Sequence, residues 1–269
     1  MAETPTPLIR LLTTSDARMV EHIMLASAWV AQHFTEAEVP RLLATRPAVG
    51  VFDARGGMRA FLLATSVVPP SGWLGGFGVP WAERARVAEL LDAALPLWAE
   101  QMAARGVRTI YYSGHDQDND LLYDSLLARG FRRHELLRSY DKSGTASPAQ
   151  GNPQVRLRPF DPARDLTEVL AIENAAFAPP WRHDATEFGE IAAAYPFFIV
   201  AQLPTGEIAG YQFSTVDGDV GFLVRIAVRP DLHGQGIGTR LMAAAMTYFA
   251  SAGVTRVLLN AEDANVRAQ

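Results

Sequence analysis

The protein has 269 residues, of which 49% are hydrophobic and 20% are charged, and its formal net charge is −5. This composition is typical of folded globular proteins, and the length favours two domains rather than one. The negative charge argues against a sequence-independent nucleic-acid binder, and the absence of cysteine excludes disulfide bonds, thiolate metal sites and a thiol nucleophile.

The N-terminus and the distribution of apolar residues predict a cytoplasmic protein. Residues 1–5 lack the basic and apolar regions of a signal peptide. No apolar run approaches the roughly 18 residues that a membrane span requires. We therefore expect no membrane association.

One pattern in the first half resembles a metal site. Asp116, Asp118 and Asp120 have the spacing that opens a calcium-binding loop, but Leu121 stands where that loop needs glycine, and Leu127 where it needs glutamate. The histidines show no paired ligand spacing. The sequence therefore predicts no metal ion.

Residues 143–153 interrupt the chain with serine, glycine and proline. Such a stretch has little to bury and contains several helix breakers, so it predicts a linker. The corresponding domains are residues 1–142 and residues 154–269.

The two halves resemble each other in local sequence. Residues 8–11 and 155–158 are short strand-like openings followed by a helical stretch. Residues 106–112 and 253–259 each begin with a glycine that ends an amphipathic helix and then run into a strand. We interpret this similarity as a divergent tandem duplication.

The second half predicts an α+β fold with a mostly antiparallel central sheet flanked by helices. Apolar residues recur at helical spacing over residues 165–178, and an Asp-Gly pair at 217–218 predicts a hairpin. The predicted strands are residues 197–202, 208–215, 221–228 and 256–260, and a second helix ends at residue 252.

A glycine-rich loop joins the third of these strands to the second helix. Gly234, Gly236 and Gly238 remove side chains where a phosphate could approach the backbone, and they permit positive φ angles. The start of the helix adds about half a positive charge at the same place. The loop therefore predicts a diphosphate site.

Two other phosphate-binding loops fit less well, and a tight turn without a ligand remains an alternative. A dinucleotide-binding fold would use Glu262 after the next strand, but it needs glycine where Thr239 stands, and residues 229–233 separate the loop from the strand. An NTPase loop needs a Gly-Lys-Ser/Thr ending, which is absent.

The sequence Val-x-Pro-x-x-His-Gly-x-Gly-x-Gly resembles the acetyl-coenzyme A loop of the GNAT superfamily of N-acetyltransferases. The family pattern is Arg/Gln-x-x-Gly-x-Gly/Ala, with Gly236 and Gly238 at its glycines and His233 at its first position. The resemblance implies two tandem GNAT-like domains and acetyl-CoA as co-substrate, without a metal. The implied cofactor-binding residues are Ile226, Ala227, Val228, His233, Gly234, Gln235, Gly236, Ile237, Gly238, Thr239, Arg240 and Asn265.

The first half resembles a degenerate copy of the same domain. In its corresponding loop, residues 78–88, Arg84 and Arg86 replace the inner glycines, and their side chains would block a diphosphate. Asn119 and the Gly-Phe pair at 130–131 match the family ending, but Leu126 replaces the usual tyrosine acid. We expect a structural or substrate-shaping role.

The second half stops before the family's usual C-terminus. The tyrosine acid, the Gly-Phe turn and the last strands would follow Asn265 beyond residue 269, so the strand at 256–260 is expected to be an unpaired edge. A truncated chain, a short gene or completion by a second chain, as in a homodimer, would each explain this ending.

The acceptor is predicted to be an amine of a small molecule or a peptide N-terminus. Residues 177–181 resemble the Phe-x-x-Pro-Trp segment of ribosomal-protein N-terminal acetyltransferases, and the tandem arrangement resembles mycothiol synthase. The resemblance to the former places the catalytic base at Asn260, which cannot accept a proton, so no catalytic residue is assigned. We expect direct transfer, with strand residues 223–228 polarising the thioester through backbone N–H groups. The alternative is a non-catalytic acyl-CoA-binding or scaffolding module.

Overall fold

The computed structural model describes residues 7–26, 29–114, 121–147 and 149–263. Asp116, Asp118, Asp120, Asn119 and Asn265 lie outside these ranges. The chain forms two compact units, Met1–Arg132 and Arg133–Gln269. The division falls before residue 142, where the sequence placed the end of the first domain.

The first unit is a six-stranded sheet with helices against it. Strands β1, β3, β4, β5 and β2 are adjacent in that order, and β6 also pairs with β5. Its strands are β1 (Leu8–Leu11), β2 (Trp29–Gln32), β3 (Ala48–Phe52), β4 (Met58–Val68), β5 (Ser71–Val79) and β6 (Thr109–Tyr111), and its helices are α1 (Ala17–Ala26), α2 (Val39–Thr45), α3 (Val87–Ala104) and α4 (Leu121–Leu127).

The second unit has the same plan. Its six strands lie in the order β7-β12-β11-β10-β9-β8, and every neighbouring pair is antiparallel except β11 with β12. Its strands are β7 (Leu137–Ser143), β8 (Arg156–Pro159), β9 (Phe197–Gln202), β10 (Ile208–Asp217), β11 (Val220–Val228) and β12 (Arg256–Glu262), and its helices are α5 (Pro162–Ala176), α6 (Ala185–Ala194) and α7 (Ile237–Ser251). The predicted α+β class is confirmed.

Helices cover both faces of the second sheet. Val169 of α5 and Phe188 of α6 pack against β9 and β10 on one face. Leu241 and Phe249 of α7 are fully buried, and they belong to two apolar clusters on the other face. Because side chains alternate between the two faces of a regular strand, residues within a regular stretch of β11 or β12 can be assigned to the α5 face or the α7 face.

The expectation that strand 256–260 is an unpaired edge is wrong. Strand β7 pairs with β12 along its whole length, from Arg256 opposite Ser143 to Glu262 opposite Leu137. The sequence had assigned β7 to the first domain, yet its hydrogen bonds lie in the second sheet. The backbone groups of β12 on this edge are therefore paired within the same chain, and the reason for expecting a second chain here disappears.

A repeated ion pair supports the duplication. In the first unit, Arg10 of β1 donates to both carboxylate oxygens of Asp16 at 2.9 and 2.7 Å. In the second unit, Arg158 of β8 donates to both oxygens of Asp165 at 2.5 and 2.8 Å. Both aspartates are almost fully buried, so each pair fixes a strand, β1 or β8, to the helical segment that follows it.

Candidate functional site

Strands β11 and β12 separate after three residue pairs. Val220, Gly221 and Phe222 pair in parallel with Arg256, Val257 and Leu258. Beyond Phe222, β11 pairs only with β10 within residues 149–263. The edge of β11 that faces β12 therefore presents backbone groups to an extended ligand from residue 223 to residue 228.

A β-bulge lies at the start of this open edge. On β10, Ser214 is opposite Leu223 and Phe213 is opposite Arg225, so Val224 has no opposite residue. The Val224 side chain is exposed, and 43% of the residue is accessible to solvent. A bulge bends the strand and redirects its backbone groups, which is why bulges often occur beside active sites.

The glycine turn follows directly from the open edge. After β11 a short 3₁₀ segment, Pro230–Leu232, leads into the turn, and α7 begins at Ile237. Gly234 and Gly236 have φ angles of +78° and +74°, a region that L-residues with side chains rarely adopt. Residues 233–235 are exposed, so the turn is accessible to a ligand.

The first turn of α7 offers unpaired N–H groups at this place. The helix ladder begins with Arg240 N donating to Gly236 O at 3.0 Å. The preceding N–H groups, those of Ile237, Gly238 and Thr239, have no partner within the helix. Together with the positive end of the helix dipole, they form a site suited to a phosphate oxygen.

The predicted side chains around the turn hold it in place. Ile237 is buried under the sheet, and Ile226 and Val228 pack against the same α7 face, whereas Ala227 is buried on the α5 face. His233, which occupies the family's Arg/Gln position, contacts Val228 O through Nε2 at 3.0 Å. The structure thus brings the predicted residues 226–228 and 233–240 together at one end of β11.

The segment before β8 packs onto the turn, which the sequence did not predict. Asn152 N donates to Gly236 O at 3.0 Å, and Asn152 Nδ2 donates to Gln235 O at 3.0 Å. Gly151 has a φ of +71°, and a Cβ there would lie 2.3 Å from Arg240 N. Part of the predicted linker is therefore an integral support of the turn.

The comparisons identify this half of the chain. Residues 166–269 match the model of the acetyltransferase (GNAT) family. The second half is a GNAT acetyltransferase domain. Among the described residues, no group of His, Asp or Glu could hold a metal ion, and no described helix is long and apolar enough to cross a membrane.

Curated relatives with similar sequences are acetyltransferases. A mycothiol acetyltransferase of Stackebrandtia nassauensis is 27% identical over 140 residues, which is 48% of this chain and 45% of the relative. A second mycothiol acetyltransferase, from Thermobispora bispora, is 29% identical over 168 residues, which is 55% of this chain and 56% of the relative. The chain thus matches about half the length of these two proteins. A putative [ribosomal protein bS18]-alanine N-acetyltransferase of Bacillus subtilis is 27% identical over 105 residues, which is 39% of this chain and 69% of the relative.

Solved structures show the tandem GNAT fold. A tandem GNAT protein from the clavulanic acid biosynthesis pathway covers 98% of this chain and 92% of its own length, with a TM-score of 0.64 at 16% identity. A GCN5-related N-acetyltransferase from Kribbella flavida covers 97% of this chain and 66% of its own, with a TM-score of 0.68 at 13% identity. At these identities the likeness shows the fold, and it confirms two tandem GNAT-like domains.

The first GNAT-like unit differs at the edge that the second leaves open. Its strand β2 runs antiparallel to the end of β5, from Trp29 opposite Val79 to Gln32 opposite Gly76. The following segment, Trp81–Arg86, is a 3₁₀ helix without a left-handed glycine. In this unit the chain's own strand occupies the edge that β11 exposes in the GNAT domain.

On the α5 face of the GNAT domain, Glu173 lies at the centre of a buried polar cluster. It accepts hydrogen bonds from Tyr211 Oη, from Arg225 Nη2 at 2.5 Å and from His183 N at 2.8 Å. The Arg225 guanidinium also lies 3.6 Å from the centre of the Phe177 ring. Burial and the neighbouring carboxylate raise the pKa of Tyr211 well above its ordinary value, so this hydroxyl stays protonated.

The same cluster gives a role to the predicted Phe-x-x-Pro-Trp segment. Arg225 Nη2 donates to the carbonyl of Trp181, while Phe177 stacks under the guanidinium. The segment therefore ties the end of α5 to the open part of β11. Asn260, at the position where the resemblance places a base, instead accepts from Ser139 Oγ of β7 at 2.8 Å.

Proposed function

We propose that the GNAT domain transfers an acetyl group from acetyl-CoA to an amine of a small molecule or to the N-terminus of a peptide. The observation that carries this proposal is the open edge of β11 leading into a left-handed glycine turn at the start of α7. Such a groove offers backbone hydrogen bonds along a strand and a phosphate site at its end.

The residues of the site fit the parts of the co-substrate. The N–H groups of the turn, residues 234–239, would bind the diphosphate, and each hydrogen bond to a charged oxygen contributes about 1.5–3 kcal/mol. The edge of β11 from Ile226 to Val228 would pair with the amide-containing pantetheine arm. The N–H groups near the bulge at Val224 would face the thioester carbonyl, where a preorganised donor stabilises the developing oxyanion.

Transfer is direct in this proposal. The chain has no cysteine that could form an acyl-enzyme thioester. The neutral amine attacks the thioester carbonyl, the new C–N bond forms, and the C–S bond breaks to release the coenzyme thiolate. The protein positions the two reactants and removes a proton from the amine.

The acceptor class follows from the relatives and from the cost of deprotonation. The relatives are named for acetylation of mycothiol and of a ribosomal-protein alanine. A peptide α-amine with a pKa near 7.8 costs only about 1 kcal/mol to deprotonate at pH 7, against about 5 kcal/mol for a lysine amine near 10.4. A peptide α-amine or an amine of a small molecule is therefore the acceptor we propose.

The test combines calorimetry with thiol release. We expect titration calorimetry to show acetyl-CoA binding, and free coenzyme A to appear when an alanine-initiated peptide or an amino sugar is added, with Nα-blocked lysine as the comparison. A protein that does not bind acetyl-CoA would refute the proposal. Binding without acetylation of any amine would instead support the non-catalytic alternative.

A further inference from the structure

The face of β12 that carries Asn260 is opposite the face that packs against α7. Val257 and Leu259 pack with Phe249 on the α7 face. Because side chains alternate along a strand, Asn260 and Glu262 share the opposite face, which is the α5 face. Asn260 is engaged with Ser139 and has no basic group, so Glu262 is the next side chain on that face that can accept a proton.

Glu262 lies where β12 borders the open groove. Pairing with β11 ends at Leu258, whereas pairing with β7 continues to Glu262 opposite Leu137. Four residues at about 3.3 Å each place Glu262 about 13 Å beyond the point where the two strands separate.

The surroundings of the Glu262 carboxylate are charged and partly buried. The indole N–H of Trp181 lies within hydrogen-bonding reach of Glu262 and also donates to Glu135 Oε2 at 3.2 Å. The other charged or titratable groups that act on Glu262 are Arg225 of β11 and His134, in the segment before β7. Burial, followed by the like charge of Glu135, raises the pKa of Glu262 above its ordinary value.

The other buried carboxylates of this face have partners that occupy them. Glu173 is fully buried and accepts from Tyr211, Arg225 and His183. Oε2 of Glu187 lies 3.1 Å from His183 Nδ1. Neither carboxylate belongs to β11 or β12, the strands that border the groove.

We propose that Glu262 is the general base of the transfer reaction, with its carboxylate positioned beside the groove by the indole N–H of Trp181. The inference rests on the proposed function. Glu262 takes one proton from the acceptor ammonium, and the neutral amine attacks the thioester. The C–N bond then forms, the amine loses its second proton to solvent, and the coenzyme thiolate leaves and is protonated.

A pair of coenzyme A thioethers tests this assignment without a known acceptor. S-(3-aminopropyl)-CoA carries an ammonium near the position of the acceptor nitrogen, and S-butyl-CoA is its uncharged isostere. We expect the aminopropyl compound to bind the wild-type protein at least about tenfold more tightly, the effect of one charge-assisted hydrogen bond. In Glu262→Gln this preference should disappear, while S-butyl-CoA binds as it does to the wild type.

Asp263→Asn is the matched control, because Asp263 is the neighbouring acid and pairs with Arg138 on β7. It should keep the preference for the ammonium. A preference that survives in Glu262→Gln, or its absence in the wild type, would overturn the assignment and leave the proposed function intact. Failure of both thioethers to bind the wild type would overturn the proposed function itself, and the inference with it.

A kinetic readout separates a base from a merely structural glutamate. With the acceptor identified by thiol release, the wild-type rate should fall at low pH as Glu262 becomes protonated. Glu262→Gln should lower kcat by about 10²-fold or more and remove this acidic limb, with an unchanged dissociation constant for acetyl-CoA. A Glu262→Gln profile that kept both the rate and the acidic limb would contradict the proposal.

Discussion

Replacing Gly236 by alanine should weaken acetyl-CoA binding by at least as much as it weakens the fold. The φ of +74° at this position costs an L-residue about 1–2 kcal/mol, and a Cβ would lie 3.3 Å from Asn152 N. We expect the melting temperature to fall by about 2–8 °C, at about 2–4 °C per kcal/mol for a domain of this size class. Turning one N–H away from the diphosphate removes about 1.5–3 kcal/mol, so affinity should fall by at least about tenfold.

Two neighbouring glycines provide matched controls for this substitution. Gly238 does not have a left-handed φ, and a Cβ there would make ordinary contact with Val228 Cγ2 at 3.7 Å. Gly238→Ala should therefore keep both stability and affinity. Gly234→Ala has the same backbone cost as Gly236→Ala, but no atom lies within 4 Å of the added Cβ, so it isolates the effect of the contact with Asn152.

Titration calorimetry with acetyl-CoA and thermal melts on the three variants give the required numbers. Wild-type affinity in Gly236→Ala, in a protein that melts at the expected lower temperature, would show that the turn does not bind the diphosphate through its backbone. Equal losses of affinity in Gly236→Ala and Gly238→Ala would show that binding depends on the absence of a side chain at these positions rather than on the backbone conformation.

Three further predictions follow from the described contacts. Burial alone would raise the pKa of Asp165, but Arg158 and nearby donors hold this pKa at about 2. About 2 kcal/mol of folding stability should therefore be present above pH 4 and lost as the pH falls towards 2. Urea unfolding of Asp165→Asn should lack this pH dependence. Asn152→Ala removes the support of the turn at Gln235 O and should raise the KM for acetyl-CoA several-fold at constant kcat, whereas an unchanged KM would contradict the supporting role. Because β2 covers the equivalent edge of the first unit, calorimetry should find one acetyl-CoA per chain, and a stoichiometry of two would refute this.

Local signals predicted much of the second unit. The expected helix at 165–178 is observed as Pro162–Ala176, where Asp161 caps the first turn and accepts from Ala163 N. The Asp-Gly pair at 217–218 joins β10 to β11 as predicted, with Gly218 at a φ of +58°. These features depend on residues close together in the sequence, so the sequence contains the information that fixes them.

Long-range pairing was not predictable in the same way. Strand β7 lies more than a hundred residues before its partner β12, and nothing in its own residues indicates which sheet it joins. Helix α6, Ala185–Ala194, was also missed, although Asp184 has the capping residue type and accepts from Glu187 N. The role of Glu262 could not be inferred because it depends on where β11 and β12 separate.

The candidate site shows the same division between local and distant information. The positive φ angles at Gly234 and Gly236 follow from glycine itself, and the sequence located the turn on that basis. The contacts of Asn152 with the turn connect residues separated by 83 or more positions along the chain, so no local sequence pattern predicts them. The linker at residues 143–153 was predicted from amino-acid composition. Composition indicates how flexible a segment is in isolation, but it does not indicate which residues the segment packs against in the folded protein.

The two units also show why loss of the glycines explains only part of the degeneracy of the first half. Arg86 is held in ion pairs with Glu83 and Glu89, so the loop has adopted its own stable turn. Independently of that turn, β2 forms backbone pairs with β5 along the edge that a pantetheine arm would need. Restoring glycine at Arg84 and Arg86 would therefore not recreate a site, because a ligand would still have to displace a strand of the same sheet. The GNAT domain differs in that nothing within residues 149–263 pairs with the corresponding edge of β11. We propose that this vacant edge, more than the number of glycines, allows the second half to bind acetyl-CoA.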